Sequence, residues 1–168
     1  MKHHLLITFL LLITLGSFAQ RENVKVRKQK RTMKNAKIEA CVDSLIQSRN
    51  FTVIAQSVQP MGWQTIQLSS LYDLQIKVDT VETNLPYYGR AYTVDYASTE
   101  GGIKLNAKMI DYKQVRKRNN LEIAFETRTV TDLYQFRVTI TPLGYATIFV
   151  NSNNRQGIGF NGVLQGVR

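Results

Sequence analysis

Apolar residues Ile38, Cys41, Val42 and Leu45 recur at i, i+3, i+4 and i+7, while Lys37, Glu39, Asp43 and Gln47 fall elsewhere around the helical wheel. This spacing predicts an amphipathic helix over 34–49, stopped by Asn50, a residue type that tolerates left-handed backbone. Beyond Asn50 the period switches to two. Segments 51–59, 65–69, 72–78, 91–96, 102–107, 109–115, 121–127, 134–141, 145–151 and 157–164 are rich in β-branched and aromatic residues and predict strands. The breaks between them carry turn chemistry: Pro60-Met61-Gly62, Asn84-Leu85-Pro86, Glu100-Gly101-Gly102, Arg118-Asn119-Asn120, Pro142-Leu143-Gly144 and Ser152-Asn153-Asn154. Residues 129–133 also admit one turn of helix. Gaps this short imply antiparallel hairpins, since a parallel pair needs a crossover of a dozen or more residues. The expected fold is mainly β (α+β): an antiparallel sandwich or half-open barrel, with one N-terminal amphipathic helix covering an open end or face.

The start of the chain follows a different pattern. Lys2, His3 and His4 lead into an apolar run over 5–15, and Ser17-Phe18-Ala19 places small residues three and one positions before a cut at Gln20. We expect a signal peptide over 1–19, a basic flexible linker over 20–32 and a single helix-plus-antiparallel-β domain over 33–168. The chain has two histidines, and both would leave with the leader. That excludes Ser-His-Asp and Cys-His catalysis and nearly every zinc site from the mature protein, so no metal and no cofactor is expected. A lipidated leader needs a cysteine at the first mature position. Gln20 stands there, so the expected form is exported, periplasmic or secreted, and not lipid-anchored. No later stretch approaches the roughly 20 apolar residues of a membrane-spanning helix. Cys41 is the sole cysteine, which rules out an internal disulfide, and its place on the apolar stripe predicts a buried, inert thiol.

The formal charge of +10 is concentrated near the start of the mature chain. Arg21, Lys25, Arg27, Lys28, Lys30, Arg31, Lys34 and Lys37 face one acid, Glu22, leaving the remaining body close to neutral. Within this arm Lys25, Arg27, Lys28, Lys30 and Arg31 are candidates for an anionic partner, a lipid headgroup or a polyanionic glycan, against the plainer reading of a solvated tail. Lys113, Arg116, Lys117 and Arg118 crowd one hairpin end, where positive charge also guards a sheet edge. No aromatic-interleaved RNA-binding signature accompanies them, which disfavours nucleic acid.

Candidate chemistry is sparse. Gly157-Ile158-Gly159-Phe160-Asn161-Gly162 matches the dinucleotide fingerprint, but residues 163–168 cannot supply the helix whose N-terminus must face a pyrophosphate. There is no G-x-S-x-G and no S-x-x-K. Asp73, Asp79, Glu82, Asp95, Glu100, Asp111, Glu122, Glu126 and Asp132 supply carboxylates, and a glycosidase needs two of them about 5 to 9 Å apart. The densest aromatic segment is 85–96. On a strand, Tyr88, Tyr92, Val94 and Tyr96 share one face with Arg90, a set that can stack on a sugar or grip an anion. With Glu100 in the glycine-containing loop that follows, the candidate ligand-binding residues are Tyr88, Arg90, Tyr92, Tyr96 and Glu100.

A run of longer motifs is specific: Asp43-Ser44-Leu45-Ile46-Gln47-Ser48-Arg49-Asn50-Phe51, Gln59-Pro60-Met61-Gly62, Tyr72-Asp73-Leu74, Leu85-Pro86-Tyr87-Tyr88-Gly89-Arg90-Ala91-Tyr92, Ser98-Thr99-Glu100-Gly101-Gly102-Ile103, Gly144-Tyr145-Ala146-Thr147 and Ser152-Asn153-Asn154-Arg155-Gln156. In this order the chain resembles a family of exported Bacteroidetes proteins known as domain of unknown function 4251. The resemblance covers essentially the whole mature chain. It implies a periplasmic or surface location in a Gram-negative cell and supplies no activity, cofactor or catalytic residue. The expected function is an envelope-associated, non-catalytic binding domain whose ligand is a glycan, an apolar molecule or a peptide. Two alternatives are a carboxylate-dependent glycan hydrolase and a structural adaptor docked to anionic envelope polymers through the basic arm. The partners in view are a glycan, a lipid or an envelope protein.

Overall fold

The computed structural model describes residues 2–92 and 101–167. It divides the chain into two compact units, Met1–Lys37 and Ile38–Arg168. One helix, α1 (Lys2–Gln47), is followed by eight strands: β1 (Asn50–Pro60), β2 (Ile66–Lys77), β3 (Thr80–Pro86), β4 (Gly102–Lys117), β5 (Asn120–Arg128), β6 (Leu133–Ile140), β7 (Tyr145–Ser152) and β8 (Ile158–Leu164). Each strand pairs antiparallel with its neighbours in sequence, and β1 pairs with β8. The sheet is therefore a closed barrel, and the expected sandwich or half-open barrel is corrected: no gap separates the first and last strands. No helix among the described residues is long and apolar enough to cross a membrane.

Strict alternation fills the interior. β5 turns Leu121, Ile123, Phe125 and Thr127 inward, and β6 turns Tyr134, Phe136, Val138 and Ile140 inward. The Phe125 and Phe136 rings stack with centroids 5.0 Å apart. An eight-stranded barrel is just wide enough for its own side chains, and this one is filled by them. The last turns of α1 join the same apolar cluster through buried Val42 and Ile46, with Ile38, Cys41 and Leu45 partly buried against it. Cys41 is thus only partly buried.

Two local expectations are corrected. The chain turns out of the helix at Arg49, whose φ is 51°, and Asn50 already opens β1. Residues 20–32 lie within α1; the stretch has no glycine or proline and is dominated by lysine, arginine and glutamine, which propagate helix well. Segments 65–69 and 72–78 form the single strand β2, and 102–107 with 109–115 form the single strand β4. Both pairings carry a register irregularity: opposite Ala55 and Ser57 of β1 the partner on β2 jumps from Tyr72 to Gln67, so the extra residues lie on β2, and β4 has one extra residue between Ile110 and Lys113, where Asp111 has φ 53°. Residues 129–133 connect β5 to β6 without a helical turn. Of the expected strand 91–96, Ala91 pairs with Arg155 in an isolated bridge and 93–96 lie outside the described residues.

Bent β4 is shared between two partners. Its first half pairs with β3 and its second half with β5. The second half runs past the β2–β3 turn, and the end of the helix meets it there. Arg116 forms an ion pair with Asp43, and the Arg49 guanidinium lies 4.5 Å from the centre of the Tyr112 ring. An edge that would otherwise be open is thereby occupied.

Gly162 on β8 faces inward where β1 bulges, and a Cβ there would land on the Ile54 carbonyl oxygen and crowd the Ala55 backbone. Replacing Gly162 with alanine should force the β1–β8 ladder apart. We expect urea denaturation to show a loss of about 2 kcal/mol or more, the upper part of the range for overpacked cores.

Candidate functional site

The connections are unequal. At one end of the barrel the turns 78–79, 118–119 and 141–144 are tight, and the helix enters β1 there. The other end carries the connections 61–65, 87–101, 129–132 and 153–157, which include the three longest. A rigid barrel presenting its variable loops at one mouth is a common arrangement for binding sites.

Two of these loops are laced together by backbone. The Tyr92 N–H donates to the Asn154 carbonyl at 2.8 Å, and the Gln156 N–H donates to the Arg90 carbonyl at 2.9 Å. Tyr87 reinforces the lacing: its hydroxyl lies 2.8 Å from the Arg90 carbonyl oxygen and 2.9 Å from that of Gln156. The Arg155 guanidinium lies 5.3 Å from the centre of the Tyr87 ring and donates to the Gly102 carbonyl at 3.0 Å, so it also holds the start of β4. Burial pushes the Tyr87 hydroxyl above its usual value of 10.0, with nearby Arg155 opposing. Burial likewise raises Tyr112, again against an arginine, Arg49.

Asp132 ties a third loop into the set. Its buried carboxylate accepts the N–H groups of Leu133 at 2.8 Å and Asn153 at 3.2 Å and the hydroxyl of Ser152. Asn154 returns a hydrogen bond from its side-chain amide to the Thr131 carbonyl at 2.9 Å. A carboxylate so fully occupied by donors serves as a clamp between loops.

Beside this lacing is a cleft of about 350 Å³, walled by Met61, Tyr92, Asn151, Asn153, Arg155 and Gln156, among others. Its chemistry is mainly amide, with one guanidinium, one phenol, one hydroxyl and the apolar side chains of Met61 and Leu133. Of the residues singled out by sequence, Tyr92 stands at this cleft; Tyr88 and Arg90 are exposed on the same loop. They do not share a strand face, because 87–90 belong to a loop. Tyr96 and Glu100 lie outside the described residues. The arm residues Lys25, Arg27, Lys28, Lys30 and Arg31 are exposed along α1 in the first unit. The roles of Tyr87, Asp132 and Arg155 were missed by sequence reasoning. For Tyr87 and Arg155 the available signal was their place in the Leu85-to-Tyr92 and Ser152-to-Gln156 motifs; Asp132, named there only as one carboxylate among nine, carried none. Among the described residues no group of three metal-ligating side chains forms.

The glycine motif has a packing role here. Gly157 lies beneath the Asn151 side chain and the Phe149 ring, so glycine there leaves room for an aromatic laid across the outer wall.

The family model for a domain of unknown function (DUF4251) matches residues 33–164, and the chain belongs to that family. No curated protein matches it. The crystal structure of a DUF4251 family protein from Bacteroides eggerthii is similar in fold, with 17% sequence identity, a TM-score of 0.57, and coverage of 79% of this chain and 87% of that one.

Tyr87 and Tyr112 keep their protons in the fold at a pH where unfolded tyrosines ionise. Their contribution to stability should therefore be intact below pH 10.0 and be lost as the pH rises through the higher folded values. Tyr87→Phe should lower stability at neutral pH by about 1 kcal/mol, the usual net worth of a hydrogen bond. It should also flatten part of the alkaline decline, as measured by denaturation at a series of pH values.

Proposed function

We propose that this member of the DUF4251 family is an exported, non-catalytic binding domain of the cell envelope that takes a glycan in the cleft between the β3–β4 and β7–β8 loops. Export rests on the leader pattern over 1–19, with release at Gln20 into the periplasm or beyond. The observation that carries the binding assignment is the lining of the cleft. Asn151, Asn153 and Gln156 offer amides, which both donate and accept, beside the exposed ring of Tyr92. Sugar hydroxyls need paired donors and acceptors, and the apolar face of a pyranose stacks on an aromatic ring. A fold with its interior filled leaves ligands to the loops. The exposed arm from Lys25 to Arg31 adds attraction for anionic envelope polymers.

A second reading, glycan hydrolysis, is favoured by one pair of acids. Several carboxylates are engaged: Glu82 with Lys77 at 2.6 Å, Glu122 with Lys117 at 2.7 Å, Asp73 with the Gln75 amide at 2.8 Å, Asp132 with its three donors, and Asp43 of the helix with Arg116. Asp111 and Glu126 instead line a common groove of about 260 Å³ on the outer wall, where the β4 bulge turns Asp111 out. Glu126 accepts a hydrogen bond from Gln135 at 2.9 Å.

Two measurements separate these readings. Titration calorimetry with soluble fragments of envelope glycan should give binding that Tyr92→Ala weakens about tenfold, the worth of an aromatic stack with its buried area; unchanged affinity in a folded variant removes the cleft as the site. Release of reducing ends from the same glycans should be absent in the parent chain. If it occurs and is lost in both Asp111→Asn and Glu126→Gln, the hydrolase reading replaces the binding one.

A further inference from the structure

The cleft at the mouth does not stop at the loops. Gln135 of β6 and Asn151 of β7 are partners across the ladder, and both wall two cavities: the cleft itself and the groove of about 260 Å³ on the outer wall. Cleft and groove therefore meet over this pair of amides. Strand register sets the groove residues in two rows that cross the strands. The row nearer the mouth is Glu126, Gln135 and Asn151; the row farther from it is Lys113, Ala124, Arg137 and Phe149. Two residues along each strand separate the rows, about 7 Å. Asp111 lines the same groove from the β4 bulge, a device that re-aims side chains. Ala124 has the smallest side chain of its row, which leaves the floor open between Lys113 and Arg137.

The charges of this groove do not neutralise one another. Elsewhere on the barrel opposite charges on neighbouring strands close into ion pairs, Lys77 with Glu82 and Lys117 with Glu122. Here two acids and two bases line one concavity. Among the described residues the side chains of Asp111, Lys113 and Arg137 form no hydrogen bond or ion pair, and Glu126 accepts from Gln135 alone. Two charges of each sign give the groove no preference for a simple polyanion or polycation, and fit a group that carries both. The carboxylates suit an ammonium, and Lys113 and Arg137 suit a carboxylate. The half-buried Phe149 ring lies beside them as a surface for packing.

We infer that cleft and groove form one trough that takes a glycan bearing short peptide substituents, with the sugar against Tyr92 and the amides, and the free ammonium and carboxylate of the peptide on the outer wall. The inference rests on the glycan reading of the cleft and adds the class of glycan. A neutral sugar chain would leave the four charges without a partner, and a free peptide would leave the amide-lined cleft unused.

Three probes test this by calorimetric titration into the mature protein: an amino-sugar disaccharide carrying its peptide, the same disaccharide with the peptide removed, and the peptide alone. The complete probe should bind about tenfold more tightly than the bare disaccharide, the worth of two partly exposed charge pairs. Added salt should remove most of that advantage. Lys113→Gln, Arg137→Gln and Asp111→Asn should each weaken the complete probe about threefold and leave the bare disaccharide unchanged, whereas Lys113→Arg should keep the parent affinity. Asparagine tolerates the left-handed backbone at position 111, so that exchange removes the charge and keeps the bulge. Tyr92→Ala should weaken both sugar-bearing probes. Equal affinity for those two probes in the parent protein overturns the inference and leaves the glycan reading standing. Peptide alone binding as tightly as the complete probe, with Tyr92→Ala changing neither, overturns the inference and the glycan reading together.

Discussion

Everything in the barrel depends on one ladder joining the two ends of the sheet. β1 meets β8 over Val53 to Pro60, and the approach is close enough at Ile54 that β8 has glycine there. Without that pairing the inward residues of eight strands would have no common interior, and the stacked Phe125 and Phe136 would lie in an open sheet. The closure also gives the loops their fixed base. Four connections meet at one mouth because each strand reverses its neighbour, and their spacing follows from a wall that cannot splay.

The elements were legible where their cause is local. Helical spacing of Ile38, Val42 and Leu45 located the end of the helix that packs, and alternation located almost every strand. Alternation misled in β2, where residues 68–71 lie opposite the single residue 56 of β1 and shift the phase as a turn does, and in β4, where the break at residue 108 marks the passage from the β3 partner to the β5 partner. Closure was illegible for a different reason. Nothing in segment 51–59 or 157–164 states that they pair with each other; glycine at 162 hints at close approach but not at the partner. At Arg49 a residue without special turn propensity takes the left-handed position, and its guanidinium over Tyr112 supplies a reason that only the tertiary structure contains.

The site was legible to the extent that aromatic density marks surface chemistry. Tyr88, Arg90 and Tyr92 lie on a loop rather than a strand, and of the three Tyr92 stands at the cleft. The residues that hold them in place were not visible. Asp132 looks like any surface acid until Ser152 and the Asn153 amide converge on it, and Tyr87 looks like one tyrosine of a pair until its hydroxyl reaches across to Gln156. Such roles belong to a pairing of distant segments, and composition carries no trace of them.

The sequential order of the strands has a consequence for how the molecule assembles. Seven ladders join neighbours along the chain and can form soon after their turns, whereas the β1–β8 ladder must wait for the first and last strands to find each other, an entropic cost that places it late. Until then the chain is a curled sheet with two bare, mutually complementary edges. Two such intermediates can satisfy each other as readily as each can satisfy itself, so at high concentration the same seam that makes the monomer invites exchange of strands between copies.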